Sequence, residues 1–297
     1  MLNYDKIIKL NKELLQMIKN IIAGMAVGIA NVIPGVSGGT MMVLMGVFNK
    51  IMEAIPGIMN FKSPKWKEYF IFLVQLGIGV VVGLVGFANI LEYLFEVAPT
   101  QTMYWFIGLV AFSIPVFVKK EMKGLKFSVL PFIIGMAVVI GLEVMNPGDV
   151  AVVNPEFPPL TISHLITMTI IGVIGGFSMF LPGVSGSMVL LILGYYYLFK
   201  SYLADVLTFR LDILFPLGFM ALGILIGIVL SAWILDKALK NSKEATISLL
   251  LGLIVASTFV LIYQTLSATF TVSLIMTSAL AFLIGGAIVI LLDKVVA

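Results

Sequence analysis

GMAVGIANVIPGVSGGTMMVLMG, residues 24–46, returns at residues 172–194 as GVIGGFSMFLPGVSGSMVLLILG. Gly24, Gly28, Pro34, Gly35, Val36, Ser37, Gly38 and Gly46 all recur in register, 148 positions on. Weaker matches follow at an offset of 144. Gly79, Gly83, Leu91 and Glu92 fall on Gly223, Gly227, Leu235 and Asp236, and Gly108 and Ser113 fall on Gly252 and Ser257. Self-similarity at a fixed long period marks a duplicated structural unit. Each copy opens with a Pro-Gly-Val-Ser-Gly turn set inside an apolar stretch. The halves on either side of that turn are shorter than the roughly 20 residues a membrane crossing needs. Each copy therefore reads as a broken, re-entrant helical hairpin followed by longer apolar segments.

Composition settles the solvent. Of 297 residues, 61% are hydrophobic and 11% charged, against roughly 45–50% and 25% in soluble proteins. Mean hydropathy is +1.15. Fifteen acids and 18 bases cannot clothe a soluble chain of this length, which excludes a soluble enzyme. The apolar runs reach about 20 residues without alternating in period two, which excludes a β-barrel. The class is an all-α polytopic membrane protein. Cysteine is absent, and His164 and Arg210 are the only histidine and arginine. Disulfides, cysteine metal sites and Ser-His or Cys-His catalysis thus have almost nothing to work with.

Residues 1–20 carry Ile7, Leu10, Leu14, Leu15 and Ile18 on one helical side and Lys6, Lys9, Lys12 and Lys19 on the other. That pattern predicts a basic amphipathic helix at the membrane interface. A secretory leader is rejected, because the apolar segment that follows recurs later and belongs to the fold. The first repeat is expected over 21–145, with a hairpin at 21–55 and spans at 69–95, 101–118 and 127–145. An external loop is expected at 146–160. The second repeat is expected over 161–297, with a hairpin at 161–204 and spans at 211–235, 245–264 and 271–292.

Charge sets the orientation. If each broken segment returns to the side it entered, each half crosses three times, and the two halves must be inverted. The N-terminus, residues 50–68, 119–126, 236–244 and the C-terminus then share one side. Sixteen of the 18 basic residues fall there, and only Lys200 and Arg210 fall opposite. Such asymmetry marks the first side, with both termini, as cytoplasmic. Inverted repeats meeting at discontinuous helices are the build of transporters with a midplane substrate site.

A break at membrane depth exposes backbone groups that lipid cannot satisfy, so it must be buried in protein or line a wet cavity. Proline ends the first half-helix. Glycine admits left-handed backbone and close approach. The restarting half-helix aims its amides into the break, where the hydroxyls of Ser37, Thr40, Ser185 and Ser187 join them. Amides and hydroxyls together make an anion site suited to phosphate. Two such sites are expected to face each other across the bundle. Arg210, on the sparse outer side, is a candidate for catching a phosphate. The repeat-related Glu92 and Asp236 are candidates for H+ or Na+ coupling. His164 reads as a capping residue.

The stretches GIANVIPGVSGGTM and GGFSMFLPGVSGSMVL resemble the polyprenyl-phosphate transporter family of the PopT type, and the resemblance runs over nearly the whole chain. It implies a translocase, not an enzyme, that returns undecaprenyl phosphate from the outer to the inner leaflet of the cytoplasmic membrane for envelope synthesis. Its implied partners are the lipid and the bilayer, with no nucleic acid and no bound cofactor or metal. Carried over by position, its site residues are Asn31, Pro34, Gly35, Ser37, Gly38, Gly39 and Thr40, with Pro182, Gly183, Ser185, Gly186 and Ser187. Met179 and Met188 replace Asn31 and Thr40 in the second copy, so the two sites are not equivalent. Two alternatives stand beside this reading. One is a small-anion carrier using the same donors. The other is an undecaprenyl-pyrophosphate phosphatase, which the Gly38-Gly39 pair disfavours because an arginine and a serine stand there in that family.

Overall fold

The computed structural model describes residues 4–32, 37–146, 157–266 and 271–296. Twelve α-helices follow one another along these residues, with no strand among them. They are α1 (Tyr4–Val32), α2 (Gly38–Leu44), α3 (Phe48–Ile58), α4 (Trp66–Val97), α5 (Pro99–Glu121) and α6 (Val129–Met145), then α7 (Ile162–Ser178), α8 (Gly186–Ile192), α9 (Tyr196–Ala204), α10 (Leu211–Asn241), α11 (Lys243–Gln264) and α12 (Val272–Val296). Six stretches are long and apolar enough to cross a membrane: 12–31, 66–84, 99–121, 211–241, 243–264 and 272–291. The chain is a multi-pass membrane protein.

Two expected boundaries shift. Residues 4–20 do not form a separate helix, because α1 continues from them to Val32 without interruption. Nothing between Met17 and Ala30 breaks a helix, so the basic segment and the apolar segment join. The segment 21–33, read alone as too short to span, is thereby the end of a stretch long enough to cross. The span expected at 127–145 forms a helix of only 17 residues, about 25 Å long at 1.5 Å per residue.

The second break falls where expected, between α7 and α8, while most of the first lies outside the described residues; further bends, not foreseen in the sequence, divide 40–55 and 187–204. The bent pair α2 and α3 turns through 111°. Gly46 makes the turn with φ +68°, and Gly194 does the same between α8 and α9 with φ +78°. In the first, the Gly46 N–H reaches the Val43 carbonyl and the Val47 N–H that of Met42. The Gly194 N–H likewise reaches Leu191, and the Tyr195 N–H reaches Leu190. Each pattern is a glycine C-cap that satisfies the last carbonyls of a short helix.

Helix pairs lock through glycine, as lipid-embedded helices do where backbones must approach closely. A Cβ on Gly24 would strike the Leu76 carbonyl, and one on Gly83 the Met25 carbonyl, so α1 and α4 touch backbone to backbone. The second half repeats this residue for residue. Gly172 meets Met220, and Gly227 meets Val173, joining α7 to α10.

The last helix of each half does not follow suit. Gly108 of α5 packs on Phe282 of α12, and Gly285 of α12 on Trp105 of α5. Gly252 of α11 packs on Phe132 of α6, and Gly135 of α6 on Leu249 of α11. Each half thus lends its final helix to the other half's middle helix. Two compact units result. One holds α1, α3, α4, α5, α12 and most of α2; the other holds Ser37 to Gly39 and α6 through α11. The shared contacts relate α6 to α12 by 150 positions, Gly135 to Gly285 and Phe132 to Phe282, where α4 and α5 relate to α10 and α11 by 144.

Candidate functional site

The second unit holds described residues of both breaks. Ser37 is buried, 3% exposed. Its Oγ donates to the Leu181 carbonyl at 2.9 Å and accepts from the Gly39 N–H at 3.2 Å. A Cβ on Gly39 would press on the Leu181 carbonyl carbon and the Pro182 nitrogen, each 2.8 Å away. The first break therefore lies directly on the backbone of the second, and only glycine at position 39 allows it. Gly38 and Thr40 are buried beside it.

In the second break, Gly183 takes φ +80°, a left-handed conformation that glycine adopts without strain. A Cβ there would strike the Leu253 carbonyl. Pro182 is buried. The Val184 N–H closes a turn onto Leu181 at 3.1 Å. Ser185 stands at the N-cap of α8 but makes no side-chain cap bond. Its Oγ lies 2.8 Å from the Ser187 Oγ instead. Gly186 sits under Met179, whose Cγ is 2.8 Å from where a Cβ would stand. Helices α2 and α8 have seven residues each, so they bring less than a full helix dipole. The donors here are mainly hydroxyls and the first free amides, and several already bond to each other. The one hydroxyl proton of Ser37 is already given to the Leu181 carbonyl.

Pro34 and Gly35 lie outside the described residues. Three of the remaining candidates make contacts of their own. Asn31 donates its amide to the Val27 carbonyl one turn back in its own helix, at 3.0 Å. Arg210 is exposed at the N-cap of α10, and its fork grips Asp212, Nε at 3.2 Å and Nη2 at 2.5 Å. The Asp212 hydrogen bond and charge push the guanidinium above its ordinary value. Asp236 pairs with Lys240 at 2.6 Å, as an i, i+4 neighbour on α10. The side chain of Glu92 lies outside the described residues. The backbone N–H of His164 donates to the Thr161 cap at 3.2 Å, and its Nε2 lies 2.9 Å from the Tyr202 hydroxyl.

Sequence reasoning missed one repeat-related acidic pair. Asp293 of α12 lies 2.5 Å from Lys120 of α5, a close ion pair without ideal hydrogen-bond alignment. Glu143 of α6 accepts from Gln264 of α11 at 3.2 and 3.3 Å. Lys120 and Gln264 are 144 apart, and Glu143 and Asp293 are 150 apart. The signal was the changed offset in the last helix of each half.

Among the described residues, a duplicated glycine-locked helix pair and two breaks in contact are joined by hydroxyls and backbone rather than by charged side chains. A family model described as VCA0040-like, undecaprenyl phosphate translocase-like, matches residues 27–278. The chain belongs to this family. The translocase-like match takes in both breaks and α2 through α11. A polyprenyl-phosphate transporter of Staphylococcus aureus is 31% identical over 203 residues, covering 66% of this chain and 70% of its own length. Another of Vibrio cholerae is 30% identical over 188 residues, covering 63% of this chain and 55% of its own length. No solved structure matches.

Proposed function

We propose that this chain carries polyprenyl phosphate, of the undecaprenyl phosphate class, from the outer to the inner leaflet of the cytoplasmic membrane. Family membership supports the substrate class. The single structural observation that carries the site is the meeting of the two breaks, where Ser37 and Gly39 lie on Leu181 and Pro182. The hydroxyls and amides of residues 37–40 and 183–187 take the phosphate head in this reading. The duplicated packing supports halves that run in opposite directions through the membrane. The lysine-rich side is then cytoplasmic, with both termini there.

Transport needs no covalent step. A phosphate monoester on a long apolar tail moves if its charge is met by donors while the tail stays in lipid. Moving the charge bare through hydrocarbon would cost many kcal/mol. Displacing Ser37 from Leu181 exchanges one neutral hydrogen bond for charge-assisted ones, which are about twice as strong. Arg210 is assigned to outer-leaflet capture, where the arriving phosphate competes with Asp212. Glu92 and Asp236 are retained as positions for H+ or Na+ coupling.

The test is the pool of surface-exposed undecaprenyl phosphate in cells, counted with a head-group probe. Depletion of the chain, with no other translocase expressed, is expected to raise that pool several-fold. An unchanged pool would favour the small-anion carrier.

A further inference from the structure

A cavity of about 710 Å³ opens between α1, α3 and α4, inside the first unit and away from the breaks. Asn20 is its buried centre, 4% exposed. The Asn20 Oδ1 accepts from Gln16 Nε2 at 3.0 Å, and its Nδ2 donates to Gln75 Oε1 at 2.7 Å. The amide chain runs one way and leaves the Gln75 Nε2 as a donor at its end. Lys50 enters from α3, 3.2 Å from Glu68 and 4.8 Å above the ring of Phe72. Lys67 also lines the cavity and has no ion pair among the described residues. Glu13 and Glu68 are its acids, while Leu14, Met17 and Ile71 give it an apolar flank.

The second half serves as an internal control. By the offsets that the glycine contacts establish, Met168 stands where Asn20 does, Leu198 where Lys50 does and Phe219 where Gln75 does. There Met168 and Leu198 fill the frame, while Phe219 lies outside it, 37% exposed. Met168 and Leu198 are 1% and 6% exposed, packed with Tyr202 and Met220 in a buried apolar cluster. The frame packs well with apolar residues, so folding does not require an amide chain and a lysine in this place. Burying a polar group costs stability unless it is hydrogen-bonded, and the first half meets that cost with an amide chain that ends in a free donor beside two lysines.

We propose that this cavity is a second binding site for a phosphate monoester head, on the lysine-rich end of the first unit. Lys50 leaves Glu68 for the phosphate, Lys67 adds a second cation, and the Gln75 amide supplies a neutral donor. The flank of Leu14, Met17 and Ile71 takes the first carbons of a tail. The phosphate chemistry stands on these residues alone; its assignment to a polyprenyl lipid on the inner leaflet rests on the transport reading above.

Binding to the purified full-length chain tests it. The probes are a fluorescent short-chain polyprenyl monophosphate, the matching polyprenyl alcohol, and inorganic phosphate. The triple variant Asn20→Met, Lys50→Leu, Gln75→Phe installs the second half's residues at the three positions, two of which fill the frame there. It is expected to lose about tenfold or more in monophosphate affinity, the scale of a lost charge-assisted contact, with the alcohol unaffected. Lys50→Gln removes the charge at similar size, is expected to lose several-fold, and decides the matter if the triple variant does not fold. Monophosphate binding by Lys50→Gln equal to the parent's overturns the cavity. Vesicle translocation of the labelled lipid by the parent separates the two readings. Translocation with unaltered binding in the variants sinks the cavity and leaves the transport reading standing. No translocation, with inorganic phosphate bound by the parent and lost in Lys50→Gln, sinks the lipid reading and keeps the cavity as a phosphate site.

Discussion

Ser37 joins the two breaks with one hydrogen bond, and that makes it the most informative side chain in the molecule. Ser37→Ala removes a neutral bond of about 1 kcal/mol and one donor from the site. We expect it to leave the fold intact while slowing lipid translocation several-fold. Ser37→Ala with Ser185→Ala should slow it by more than the product of the two single effects if both hydroxyls meet one head group; a merely multiplicative result, read in vesicle assays, assigns them to separate sites. Gly39→Ala acts on stability instead. Its methyl would land 2.8 Å from the Leu181 and Pro182 backbone, and overpacking of that kind costs about 1–3 kcal/mol. Thermal unfolding in detergent should show the loss. At Arg210 the carboxylate of Asp212 is a competitor for phosphate, so Asp212→Asn should raise capture of outer-leaflet lipid while Arg210→Ala lowers it. Both are read with the surface head-group probe. Arg210 stays cationic throughout the ordinary pH range because Asp212 raises its pKa further, and no pH profile should originate there.

Among the helices, those locked by glycine carry the clearest expectations. Gly108→Val and Gly252→Val each drive a branched side chain into a neighbouring carbonyl, on Phe282 and on Phe132. Because the two contacts are copies, the melting temperatures of both variants should fall by similar amounts, by at least the overpacking cost of about 1–3 kcal/mol. A fall in only one would mean that the exchanged helices do not bear load equally. The repeat and most of the long helices were legible in the sequence, because proline and glycine at membrane depth have few structural meanings; the bends at Gly46 and Gly194 and the shortness of α6 were not. The meeting of Ser37 with Leu181 was anticipated only as two sites facing each other. The exchange of α6 and α12 was not legible at all. Apolar periodicity tells which face of a helix is buried, but not which helix buries it, and α6 and α12 are apolar all round. The continuity of α1 was missed for a related reason: a change from amphipathic to apolar pattern changes the solvent, not the backbone. Glu92 and Asp236 were chosen at the 144 offset, while the acids bridging exchanged helices, Glu143 and Asp293, lie at 150.

For the whole molecule, topology is the claim to test. Single cysteines at Ser63, Lys123 and Lys240 are expected to react with an impermeant maleimide only from the cytoplasm, and those at Thr100 and Thr161 only from outside. Labelling of residue 63 from outside would reverse the inverted arrangement proposed for the halves. The lending of a last helix has a further consequence for how such a chain is made and how it arose. During synthesis the first unit stays unfinished until α12 emerges, since α12 packs on α5. A ribosome that stops after Gln264 leaves an open seam along α5 where Gly108 should be covered. Severing the chain between Asn146 and Ile162 leaves neither fragment able to fold alone, yet two such fragments co-expressed in one membrane should find each other and complement. An ancestor of half this length would have faced the same problem. It would have been stable only as a pair of identical chains, each clasping the other's final helix, and fusion of its two gene copies would have turned that mutual loan into a permanent one.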